Sequence, residues 1–120
     1  MNDQLVIMPF EIVGSGICVS SDNGQKIHDQ ITKALREGKK VNISFLNIGS
    51  VTSAFLNAAI GQLYGEFAEE TIKDSLSVSG MDQNDLVLLK RVVETAKEYF
   101  KDPERFKKTV EEILEGENAG

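Results

Sequence analysis

The chain has no tryptophan, two prolines, one cysteine, one histidine and no long uninterrupted apolar run. Each scarcity excludes something. A single cysteine cannot close an internal disulfide, and one Cys with one His cannot complete a zinc site. Flanked by Ile17 and Val19, Cys18 reads as a small buried hydrophobe. No stretch approaches the roughly 20 apolar residues that cross a bilayer, and the first four residues lack the basic opening of a secretory leader. A cytoplasmic setting is therefore expected. Basic residues are also short: 13 Lys and Arg stand against 19 Asp and Glu, a formal net charge of −6. The pairs Lys39-Lys40, Lys90-Arg91 and Lys107-Lys108 are scattered, so neither nucleic acid nor an anionic membrane is an expected partner. Adjacent acids such as Glu69-Glu70 and Glu111-Glu112 point about 100° apart on a helix and suit solvent rather than a shared metal ion.

What is present suffices for a core. In 120 residues, 41% are hydrophobic, which predicts one domain over residues 1–120 with frayed ends at 1–3 and 115–120. Residues 5–13 are rich in β-formers, interrupted by Pro9, which belongs at a sheet edge. Gly14-Ser15-Gly16 reads as a turn, and residues 17–20 as a short strand that pairs back on the first as a hairpin. It is too short for a phosphate loop and lacks the Gly-Lys-Ser/Thr that would follow, so no cofactor is expected. Ile27, Ile31, Ala34 and Leu35 recur at helical spacing over residues 24–37, with Gly38 as the stop. His28, beside Ile27, falls on the polar side and is expected to be exposed.

Residues 41–67 organise the rest. Residues 41–45 form a buried strand, and Phe55, Leu56, Ala59, Ile60, Leu63 and Phe67 give the following helix, residues 53–67, a wide apolar stripe. Beside it runs a smoother line, Ala54, Ala58, Gly61 and Gly65. Each in-helix Gly costs about 1 kcal/mol relative to Ala, so another backbone should approach there, either the chain's own sheet or a partner. Residues 74–80 alternate as a strand. Leu86, Leu89, Val92, Val93, Ala96 and Phe100 stripe a helix capped by Asp82, and Asp102-Pro103 opens a last helix carrying Phe106, Val110, Ile113 and Leu114. The order strand, strand, helix, strand, helix, strand, helix, helix predicts an α/β fold with a four-stranded mixed sheet.

The chemically distinct place is the strand-to-helix junction, where free backbone N–H groups and three hydroxyls, Ser50, Thr52 and Ser53, come together. Ser53 has two readings: an N-cap worth about 1 kcal/mol, or a phosphorylation or docking site at a helix start that favours anions. No Ser, His and acid announce a catalytic triad, and no nucleophile-elbow pattern supports one.

The element order and the residues Val41-Asn42-Ile43-Ser44-Phe45 followed by Val51-Thr52-Ser53-Ala54-Phe55-Leu56-Asn57 resemble the STAS-like fold family, and more closely the prokaryotic STAS-like domain family of unknown function. The resemblance spans roughly residues 5–100. In the distantly similar anti-sigma-factor antagonists, an Asp-Ser-Ser/Ala-Gly motif opens this helix, and its Ser is phosphorylated by a kinase-like ATPase partner. Ser53 occupies that Ser position. Thr52 stands in place of the Asp and Phe55 in place of the Gly, and Ser44 stands where the strand otherwise carries an acid. The resemblance implies a non-enzymatic regulatory protein-interaction domain, a signalling switch with Ser53, Thr52 and Ser50 as docking or modification residues. Ala54, Asn57, Ala58, Gly61 and Gly65 would form an interface. Two other readings stay open: a small-molecule or nucleotide sensor using the same helix start, and an oligomerising scaffold.

Overall fold

Pro9 decides how the chain begins. A computed structural model describes residues 4–101. In it the β-forming run splits into strand β1 (Gln4–Ile7) and a five-residue helix α1 (Pro9–Val13) with Pro9 in its first turn. Proline lacks the N–H a strand would need and has its φ already set for a helix. Gly14, left-handed at φ 81°, caps α1. The segment after it therefore leaves a helix rather than turning a hairpin, which corrects the expected pairing of the first two strands. Strand β2 (Ile17–Cys18) does not return to β1.

Helix α2 (Ser21–Arg36) follows, capped by Ser20, whose hydroxyl accepts from the Asn23 N–H at 3.1 Å. Gly38, at φ 76°, turns the chain into β3 (Lys40–Ser44). Then come β4 (Ser50–Val51), α3 (Ser53–Ala59), a 3₁₀ turn (Gly61–Gly65), α4 (Glu69–Ser75), β5 (Leu76–Ser79) and α5 (Gln83–Lys101). Asp82 caps α5 as its sequence predicts, accepting from the Asp85 N–H at 2.8 Å.

The strands make two parallel sheets instead of one mixed four-stranded sheet. β1, β3 and β5 form the main sheet with β3 central, and β2 pairs with β4. The register places Ile7, Ile43 and Val78 side by side on the inner face and Val6, Asn42 and Ser77 on the outer one. Inward lie the buried Ile7, Val41 and Ile43, met by Ile27, Ile31, Phe55, Leu56 and Leu63 of the helical layer. Outward, Asn42 donates to the Ser77 hydroxyl and accepts from Ser79, each at 2.9 Å, a polar ladder across the strands.

The expected helix over residues 53–67 ends early, at Ala59. Its two glycines tighten the chain into the 3₁₀ turn, and α5 occupies the space they leave. A side chain at Gly61 would meet Val92 and Asn57, and one at Gly65 would run into the Phe100 ring. The smooth line therefore meets helices of its own chain, not its own sheet. Ala58 and Gly61 are buried, and Ala58 lies against Gly24 of α2. The helix predicted from Pro103 onward, with Phe106, Val110, Ile113 and Leu114, lies outside the described residues, as do both frayed ends.

Candidate functional site

Parallel pairing has a directional consequence. β1, β4 and β5 each run into the start of a helix, and all three main strands point the same way, so helix beginnings gather beyond the strands' carboxyl ends. In open α/β sheets that is where ligand-contacting loops collect. The segment from Phe45 to Gly49 that leads from β3 into β4 leaves from this end, where the Phe45 N–H donates to the Ser79 carbonyl at 2.8 Å.

The junction between β4 and α3 is built around Gly16. A Cβ there would sit 2.6 Å from the Asn47 carbonyl oxygen, so only glycine permits the approach. Its own carbonyl accepts from Gly49 at 2.8 Å and from Ser50 at 3.1 Å. Asn47, left-handed at φ 66°, turns the chain into position, a conformation asparagine tolerates better than most side chains. Ser50 then pairs with Ile17 and remains exposed.

Thr52, not Ser53, is the N-cap of α3. It is extended (φ −120°, ψ 163°), and its hydroxyl accepts from the Phe55 N–H at 3.3 Å while donating to the Val19 carbonyl at 2.7 Å. Both functions of that oxygen are thus engaged in holding β2 to α3. Ser53, one position on, is the first helical residue. It is exposed, and its hydroxyl makes no hydrogen bond among the described residues. Of the three sequence-predicted hydroxyls, one is structural and two face solvent.

Three residues that sequence reasoning did not single out join them. Ile17 is 58% and Val19 42% exposed on either side of the wholly buried Cys18. Arg91 of α5 lines a shallow depression of about 340 Å³ with Val92 and Thr95, opposite Ser53, Ala54 and Asn57 of α3. Arg91 is exposed and forms no ion pair among the described residues. Strand alternation around a buried Cys18 signals that Ile17 and Val19 point outward. Arg91 left no comparable signal, because only the tertiary fold brings it beside Ser53. The structure thus keeps Ala54 and Asn57 at the surface of the depression, while Ala58 and Gly61 are enclosed and Gly65 lies under Phe100.

Two other reactive groups lie elsewhere. Burial pushes the Cys18 thiol up, away from the nucleophilic thiolate. His28 is buried, contrary to its expected exposure, with Nε2 2.9 Å from Glu66 Oε1 and Nδ1 enclosed without a partner among the described residues. No serine hydroxyl among the described residues hydrogen-bonds this imidazole. Among the described residues no helix is long and apolar enough to cross a membrane.

Comparison with known proteins gives a family match. A family model described as a STAS-like domain of unknown function covers residues 23–86, just over half of the chain. This span runs from Asn23, inside α2, to the first residues of α5, including Ser50, Thr52, Ser53 and Asn57, and leaves out Ile17, Val19 and Arg91. No curated protein and no solved structure matches.

Proposed function

This chain belongs to the family of STAS-like domains of unknown function, and from that membership and the geometry of its β4–α3 junction we propose that it is a regulatory domain without catalysis of its own. It docks a cytoplasmic protein partner, a kinase-like ATPase, at the surface carrying Ile17, Val19 and Ser53. Phosphorylation of Ser53 releases that partner. The observation carrying this reading is the exposed Ser53 hydroxyl, unengaged among the described residues, next to a cap that already has its own threonine. Ser53 is thus not needed for folding and is available to a modifying enzyme. Exposed Ile17 and Val19 supply apolar area beside it, the kind of contact that anchors an interface. A phosphate at Ser53 would add roughly two negative charges to that surface.

The test is co-purification from native lysate with and without ATP, followed by mass spectrometry of the recovered chain. The expected result is a specific partner for the wild type, its loss for Ile17→Glu and for Ser53→Asp, and phosphate on Ser53 when ATP is present. Equal recovery of the same proteins by all three chains, with Ser53 unmodified, would sink the reading.

A further inference from the structure

A phosphoryl group on Ser53 would not project into featureless solvent. It would enter the depression between α3 and α5, whose described lining contains a single basic residue, Arg91. No lysine or arginine occurs anywhere in residues 41–72, so α3 and its flanking loops have no cation of their own to offer. Arg91 is exposed and has no ion pair among the described residues; Glu94, one turn along α5, does not engage it. Thr95, one helical turn from Arg91, and Asn57, one turn from Ser53, add a hydroxyl and an amide to the same walls. The small Ala54 and the buried Val92 complete the lining. A planar guanidinium presents paired N–H donors that match two phosphate oxygens at once, which a lysine does not.

We propose that Arg91 receives the phosphoryl group of modified Ser53, closing across the depression so that modification ties α5 to α3. The inference rests on the reading of Ser53 as the modified residue, and it deepens that reading. The modification then does more than add charge at a docking surface: it neutralises the cation facing that surface and couples α3 to α5 across the depression that both line.

The experiment uses the full chain with phosphoserine installed at position 53 during synthesis, so it needs no cellular kinase. Phosphorus NMR follows the second ionisation of the phosphate from acid to neutral pH. In an unfolded phosphoserine peptide this falls near pH 6. A facing guanidinium favours the dianion, so in the folded chain it should fall lower by roughly half a unit to one unit, a three- to tenfold loss of proton affinity. Arg91→Ala should give most of that shift back. Lys90→Ala removes the same charge one residue away, outside the lining, and should leave the shift in place. An unchanged titration in Arg91→Ala, or an equal loss in Lys90→Ala, overturns the assignment. Either result would leave the docking role of Ser53 standing, and an unmodified Ser53 in cells would leave the titration result standing.

Discussion

At the scale of single residues, the junction separates two hydroxyls that a sequence presents as equivalents. Thr52 holds α3 to β2 with both ends of its O–H, whereas Ser53 has no such role. Thr52→Val keeps the shape of the side chain but loses the cap and leaves the Val19 carbonyl without its donor. Urea unfolding should show a loss of about 1–2 kcal/mol, while Ser53→Ala should stay within about 0.5 kcal/mol, the usual range for an exposed site. Similar losses for the two variants would contradict this division of labour. The one-residue error in locating the cap follows from the sequence itself: Thr and Ser cap almost equally well, and only the pairing of β2 with β4 decides which hydroxyl meets a carbonyl. His28 illustrates a second limit. Ile27, Ile31, Ala34 and Leu35 announced one buried face of α2, but Gly24, His28 and Thr32, each four residues apart, form a second one. Two of those three are polar, so hydrophobic periodicity could not reveal them.

At the scale of elements, glycines set how closely helices approach. A Cβ on Gly24 would sit 2.5 Å from the Phe55 carbonyl oxygen and 2.8 Å from the Ala58 Cβ. Backbone cannot swing aside as a side chain tip can, so Gly24→Ala must push α2 off α3. At Gly65 the nearest obstruction is the Phe100 ring, a side chain that is 38% exposed. Gly24→Ala should therefore cost about 1–3 kcal/mol in denaturant unfolding, as overpacked cores do, and Gly65→Ala clearly less. The reverse order would mean that the α2–α3 contact is looser than described. The small residues were readable as a close-approach surface. What they approach was not, because spacing along one helix carries no information about its neighbour. Pro9 was likewise readable as an interruption of the first strand. That it starts a helix depends on Gly14 providing a left-handed cap five residues later.

At the scale of the whole molecule, stability should be unevenly spread. β3 is hydrogen-bonded on both sides, to β1 and to β5, and its Val41 and Ile43 are almost wholly buried. β2 and β4 share only a two-residue pairing. Native-state hydrogen exchange should find β3 amides slowest and those of residues 17–18 and 50–51 markedly faster, since exchange follows local opening. Equal protection in both sheets would show that they open as one unit. The alternation of strands and helices was sufficient to predict the α/β class, and the family match agrees with it. The split into two sheets was not predictable: residues 17–20 read as a strand, but its partner β4 has two residues, below the length at which alternation can be recognised.

The 2.7 Å bond from Thr52 to Val19 also joins two things usually kept separate. A visitor that grips the Ile17–Val19 ribbon and draws it outward strains the tether to Thr52, and with it the first turn of the coil bearing Ser53. Were a partner to dock there, its pull would pass through that tether to the turn that presents the alcohol.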